Sequence, residues 1–336
     1  MRRLPLTKKR KFFSGKHRWW VLLFIVLGIV ASFIPLLKPV QPHLQVAPEK
    51  LVEEPLFTLP VLGDFYLFNT LPTLILTLIL IVIFAYAIKR SAQKMEKDLV
   101  PRGLAGAFEA LVETLYNMTE NSAGSKFARQ IFPWFAAFMI YVLFANLLKI
   151  IPGFETIGIM HHAAEGGHDI QGLFGNWYTL LSGEAHGEGY VLTPFLRGIS
   201  VDLNFTLGLA LISVVMTQVI GFRAQGLGYL LKFFNVRTLF SKPFFGAMDF
   251  LVGLLELISE FSKIISFAFR LFGNMFAGVV LVALIGTMLP VFLPSFIYLF
   301  EFFIGLIQAF VFGMLTMVFM SMVTHSHGGE EHAEAH

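Results

Sequence analysis

The chain contains no cysteine, which excludes disulfide bonds, thiol catalysis and thiolate metal sites. It is also poor in charge: 14% of its 336 residues are Asp, Glu, Lys or Arg, while 56% are hydrophobic. A water-soluble domain cannot hide that much apolar surface. No internal repeat and no His-Glu-x-x-His motif is present, and no histidine falls inside a long apolar run. These absences argue against an intramembrane hydrolase, which needs a Ser/His or metal constellation at membrane depth. They also argue against a stand-alone channel or secondary transporter, the alternative class, because transporters are often built from repeats with broken helices.

What is present is a series of uncharged runs: Trp19–Leu37, Phe65–Ile88, Ile131–Leu148 and Leu203–Phe222. Each is close to the ~20 residues that carry a helix across a bilayer. Two longer apolar blocks, Phe244–Leu289 and Ser295–Val323, close the sequence. The pattern predicts an all-α polytopic membrane protein with about six membrane-embedded helices, ending in a long oblique hairpin over 244–289 and 295–323. The forty residues from Phe250 to Leu289 would make a helix of ~60 Å, twice the hydrocarbon thickness, so this segment must tilt or break.

The first run follows eight Lys/Arg and no acid in residues 1–18. Signal peptides share that order, but their apolar cores span only ~7–15 residues, so the segment reads as a retained anchor. The later loops alternate in charge. The segments 89–102 and 223–242 are basic, whereas 38–64 holds four acids and 152–199 sets five acids against Arg197. The positive-inside rule then puts the basic loops and both termini in the cytoplasm and the acidic loops outside. In segment 103–120, Leu104, Phe108, Leu111, Leu115 and Met118 recur at helical spacing beside Glu109, Glu113 and Glu120. It reads as an amphipathic interfacial helix, whose acidic face is either a solvated surface or a docking face for a partner.

Inside the fifth block, Asp249, Glu256, Lys263 and Arg270 follow one another at seven-residue intervals. Seven residues are nearly two helical turns, so these side chains share a stripe that drifts by only ~20° per step. Asn274 continues it one turn beyond Arg270, and Ser266, Gly273, Ala277 and Gly278 on this side are small. Small faces let another helix approach closely in lipid. A plainer reading pairs the charges within the bundle, Glu260 with Lys263 for instance. In the last block Glu301 and Gln308 are again seven apart, with Thr316 beyond, and residues 302–324 carry no charge. Ionisable residues in such surroundings are rare and mark ion or proton pathways.

The segments "RLFGNMFAG" (270–278), "LIQAFVFGMLT" (306–316), "FANLLKIIPGF" (144–154) and "VDLNFTLGLAL" (201–211) resemble subunit a of the F-type ATP synthase membrane sector. They occur in the family's order and span roughly residues 60–323. The resemblance implies a stator subunit, without an active site or cofactor of its own, that faces a ring of small proteolipids (the c-ring) and meets peripheral-stalk subunit b. No nucleic acid is expected. The translocated ion is H⁺, with Na⁺ left open, and the location is a bacterial-type plasma membrane. Arg270 would separate two half-channels, with Ser266, Arg270, Gly273 and Ala277 facing the ring. Asn274 and Glu301 would line the external half-channel and Glu256 the cytoplasmic one, with Lys263 on the same path. Gln308 would pack near Arg270. Asp202 and Asn204 would open the fourth span externally, unless Asp202 simply caps its helix.

The sequence departs from that family's pattern at two places. Val279 follows the Ala-Gly where many relatives carry Glu, and Glu301 stands where they often carry His. Lys149, within "NLLKIIPG", is expected to snorkel to the interface. The domain organisation that follows is a basic arm, anchor and linker over 1–64, a membrane domain over 65–323, and a His/Glu-rich cytoplasmic tail over 324–336. His161, His162 and His168, near Glu165 and His186, are the residue types that bind zinc or copper. Gly166 and Gly167 deny them a fixed helical geometry, so a solvated loop is the expectation, and the tail reads the same way.

Overall fold

The computed structural model describes residues 15–33, 45–52, 54–60, 63–95, 103–151, 153–163, 167–181, 189–226, 228–229, 233, 243–288 and 292–324. Residues 1–14 of the basic arm, loop charges Lys97, Arg102, Lys232, Arg237 and Lys242, residues Glu165 and His186, and the histidine-rich tail beyond Thr324 lie outside these residues. So does the end of the first apolar run, past Phe33.

The helices are α1 (Gly15–Phe33), α2 (Thr70–Met95), α3 (Gly103–Lys149), α4 (Leu203–Gln225), α5 (Pro243–Met288) and α6 (Phe292–Met322). Among the described residues, α2 to α6 contain the five stretches long and apolar enough to cross a membrane. The protein is thus an all-α, multi-pass membrane protein. In hydrocarbon a backbone N–H or C=O finds no water, so a spanning segment must satisfy its polar groups internally, and the helix does so within one segment.

α5 begins at Pro243, whose missing N–H costs nothing at a helix start. It then runs unbroken for 46 residues, about 69 Å at 1.5 Å per residue. Of the two expected solutions to its length, the helix does not break. α3 contains the expected pair of segments in a single helical stretch, separated by a kink at Gly124 (φ 76°, ψ 158°). That left-handed φ needs a residue without Cβ. On the first arm Leu115, Thr119 and Ala123 are buried, while Glu109 and Glu113 are exposed. Leu111, expected on the apolar face, is exposed instead.

Short strands occupy two connections that read as irregular loops. β1 (Phe57–Leu59) and β2 (Gly63–Phe65) pair antiparallel, and the rings of Phe57 and Phe65 stack at 4.7 Å. β3 (Gly158–His162), β4 (Ile170–Phe174), β5 (Trp177–Leu180) and β6 (Tyr190–Pro194) lie between α3 and α4. β4 and β5 form a hairpin that turns through Gly175 and Asn176, with Phe174 opposite Trp177. A Gly-Asn pair between β-favouring aromatics is a hairpin signal, which the histidines and glycines upstream obscured.

The chain divides into two compact units. One comprises Met1–Leu44, Met160–Leu192 and Gly278–Phe300; the other comprises Gln45–Ile159, Thr193–Ala277 and Glu301–His336. The second contains every candidate site residue except the histidines. Its core includes Ile131, Phe135 and Met139 of α3, Ile220 of α4, Tyr229, and Met317 and Met320 of α6. α3 and α6 pack closely because Gly305 and Gly313 lack side chains. A Cβ on Gly305 would meet Asn146 at 3.2 Å, and one on Gly313 would meet Met139 and Phe135 at 3.0 Å. In lipid such van der Waals contact replaces the hydrophobic effect as the force between helices.

Candidate functional site

Arg270 is exposed on α5, as are Ser266, Asn274 and Ala277, with Gly273 half-buried between them. The opposite face of the helix, with Phe267, Ala268, Leu271 and Met275, is packed into the unit. Among the described residues Arg270 has no hydrogen bond or ion pair. The guanidinium therefore stands on a face of small residues that the chain leaves uncovered. Elsewhere on the uncovered surface of α5, Ile265 and Phe269 are apolar and each 56% exposed.

One turn along the same stripe, Asn274 reaches α6. Its Nδ2 donates to Gln308 Oε1 at 2.7 Å. Gln308 is buried, and its own Nε2 has no partner among the described residues. Gln308 thus bonds to Asn274, and no hydrogen bond joins it to Arg270 among the described residues.

A second polar group lies two turns toward the start of α6. Glu301 is 6% exposed, and its Oε1 receives the Lys149 ammonium at 3.4 Å. Lys149 Nζ also donates to the carbonyl of Met275 on α5 at 2.9 Å. This corrects the expectation that Lys149 snorkels outward, and the expectation that Glu301 stands alone. The lysine turns inward because a carboxylate and a carbonyl on the two facing helices offer it acceptors. Breaking such a pair leaves a buried charge uncompensated, typically at about 3–5 kcal/mol. Glu301 Oε2 has no partner among the described residues.

Between these groups sits Asn146 of α3. Its Nδ2 donates to the Gly305 carbonyl at 3.2 Å, and its Oδ1 accepts from Ser200 Oγ at 2.7 Å. Asn146 and Ser200 escaped the reading of candidate residues. Asn146 lies inside the "FANLLKIIPGF" segment, but nothing local in sequence joins it to Ser200 or Gly305. Further along α6, Thr316 shares a 2.8 Å hydrogen bond with Ser213 of α4.

The other half of the α5 ladder is more self-contained. Lys263 Nζ donates to Glu260 Oε1 at 2.8 Å, the i,i+3 pairing set out as the plainer reading, and lies 4.8 Å from the centre of the Phe319 ring. Glu260 is buried and Glu256 half-buried. Burial, with the carboxylates of Glu260 and Glu256 nearby, raises the pKa of the Tyr229 phenol far above its ordinary value. Tyr229 remains a donor, bonded to Gln218 Oε1 at 2.7 Å. The backbone of Asp249 lies in α5; its side chain lies outside the described residues.

Asp202 caps α4. Its Oδ1 accepts from the Asn204 N–H at 2.8 Å, and its Oδ2 accepts from Thr70 Oγ1 at 3.3 Å. The Asn204 side chain is exposed. His161 and His162 end β3, and His162 packs against the Tyr190 ring at 4.5 Å. Among the described residues no three His, Asp or Glu side chains come together as a metal site.

Long apolar helices joined to one another by polar side chains define the class: an all-α polytopic membrane protein. The ATP synthase A chain family matches residues 71–321, three quarters of the sequence, and the chain belongs to that family. It is similar to ATP synthase subunit a of Desulforamulus reducens, 30% identical over 266 residues, 76% of this chain and 79% of the relative. It is also similar to ATP synthase subunit a of Helicobacter pylori, 28% identical over 247 residues, 74% of this chain and 85% of the relative. The Helicobacter acinonychis protein of the same name is 27% identical over the same length.

Proposed function

We propose that the chain is the stator subunit of a rotary ATP synthase and carries protons past a ring of small proteolipids through two half-channels that never meet. The observation that carries this reading is Arg270, an arginine without a partner among the described residues, exposed on a small-residue face of a helix long enough to lie obliquely across a bilayer. Arginine stays protonated in proteins. A fixed guanidinium favours the ionised form of a ring carboxylate that arrives beside it. That carboxylate releases its proton on one side of Arg270 and takes one up on the other, so protons cross only as the ring turns. Across 100 mV each proton is worth ~2.3 kcal/mol, so a leak past Arg270 would waste the gradient.

In this reading Ser266, Arg270, Gly273 and Ala277 face the ring. Asn274, Gln308 and Glu301 belong to the external half-channel, and Glu256 and Lys263 to the cytoplasmic one. Asp202 and Asn204 lie at the external mouth, where Asp202 also caps α4. The charge alternation of the loops supports cytoplasmic termini, similarity to bacterial subunits supports a bacterial-type plasma membrane, and subunit b joins from the peripheral stalk. The membrane domain is residues 65–323, flanked by the anchor and linker over 1–64 and the tail over 324–336.

The test is ATP-driven proton pumping and passive leak in vesicles bearing Arg270→Ala, with assembly of the complex checked. Lost pumping with assembly intact is the expected result. Pumping near wild type would end the half-channel reading.

A further inference from the structure

We infer that Lys149 is a positioning residue of the external half-channel: it holds Glu301 by one carboxylate oxygen and leaves the other to take and release the travelling proton. The inference rests on the function proposed above and adds a residue to it.

Four observations carry it. First, the contact is asymmetric: Lys149 Nζ binds Glu301 Oε1 at 3.4 Å, whereas the buried Oε2 has no partner among the described residues. A carboxylate oxygen without a hydrogen bond has both of its lone pairs to offer. Second, Lys149 has an acceptor that does not titrate, the Met275 carbonyl at 2.9 Å. When Glu301 is protonated the ammonium therefore keeps a partner, and neither state leaves a buried cation bare. Third, the lysine stem is fixed in place. A Cβ on Gly198 would lie 3.1 Å from Lys149 Cγ and 3.2 Å from Cδ, so the backbone of Gly198 rests on the stem. The Gly198 N–H is itself held by Glu155 Oε1 at 2.9 Å. Fourth, Met275 directly follows Asn274, so the lysine ties Glu301 to the turn of α5 that bonds Gln308.

The step balances simply. A proton from the external side forms an O–H bond at Glu301 Oε2. The same bond later breaks as the proton moves on toward the ring. Lys149 takes no part in the transfer and contributes charge and position only.

A purely structural ion pair would be replaceable by two neutral side chains, since buried pairs exchanged for neutral residues of similar volume are often tolerated. That separates the two roles. The assembled ATP synthase is reconstituted in vesicles with Lys149→Arg, Lys149→Met, or Lys149→Met combined with Glu301→Gln, and pumping is measured per assembled complex. The expected results are pumping within about threefold of wild type for Lys149→Arg and a loss of at least tenfold for Lys149→Met. The neutral double variant should assemble at wild-type levels and still fail to pump. Near-normal pumping by the double variant, or by Lys149→Met alone, would overturn the inference. So would an assembled Lys149→Arg complex that does not pump. Arg270→Ala measured alongside keeps the failures apart: if it abolishes pumping while Lys149→Met does not, only the role of Lys149 falls.

Discussion

Asn274 on α5 and Gln308 on α6 are joined amide to amide at 2.7 Å, one helical turn from Arg270. The bond crosses between the two final helices, so it fixes how the arginine's helix sits against its neighbour. Gln308→Leu removes the acceptor and strands the Asn274 amide. A loss of about 0.5–1.5 kcal/mol is expected from the missing hydrogen bond, since Asn274 itself is exposed, together with pumping reduced at least tenfold. Gln308→Glu, which keeps an acceptor at the same place, should lose less. Equal pumping by wild type and Gln308→Leu in inverted vesicles would remove Gln308 from the path.

Asp202 separates capping from proton carriage. Asn caps helices as well as Asp does. Asp202→Asn should therefore keep pumping within about twofold, while Asp202→Ala should cost ~1 kcal/mol of stability, read from thermal unfolding of the purified complex. If Asp202→Asn stops pumping with its complex intact, the carboxyl group itself carries protons.

At Gly313 a new side chain would press on Phe135 and Met139 in a contact that has no slack. Overpacking of this kind costs about 1–3 kcal/mol. Gly313→Leu should lower the melting temperature and the yield of assembled complex more than any pumping defect per complex. An unchanged melting temperature would mean that α3 and α6 separate more easily than their packing implies.

Tyr229 should contribute to a decline of stability at alkaline pH. Its pKa is raised by burial and by Glu260 and Glu256, above the ordinary value of 10.0 that the unfolded chain retains. Below pH 10 both states hold the proton and the contribution is complete. As pH rises past 10 the unfolded state ionises first, so stability falls until the folded phenol titrates too. Tyr229→Phe should flatten that alkaline decline while losing about 1 kcal/mol with the Gln218 hydrogen bond at neutral pH. Denaturation midpoints measured from about pH 9 upward decide the matter; parallel slopes in the two proteins would contradict it.

Much of the architecture was legible because membrane helices announce themselves by length. The uncharged runs at Ile131–Leu148 and Leu203–Phe222 each lie within a helix, Phe65–Ile88 does so from Thr70 onward, and the charged ladder of α5 did not obscure its helicity. The stripe through Ser266, Arg270, Gly273 and Ala277 was readable because helical spacing is local. Pairings across the bundle were not. Lys149 and Glu301 are separated by 152 residues, and neither shows its partner by composition or period. An expectation drawn from Lys149 alone therefore pointed it toward water. The short strands escaped for a different reason. Strands of three to five residues carry little periodicity, and a Gly- and His-rich connection looks irregular even where a hairpin forms.

A 46-residue helix with no proline after its first residue behaves mechanically as a beam. A turning ring would push sideways on Arg270, near the middle of its length. A chain kinked there would bend under the load and dissipate each stroke in its own recoil. An unbroken one would hand the force to its two ends and to the flank held by Lys149 and Gln308, and in the function proposed above the guanidinium would stay where the next carboxylate arrives.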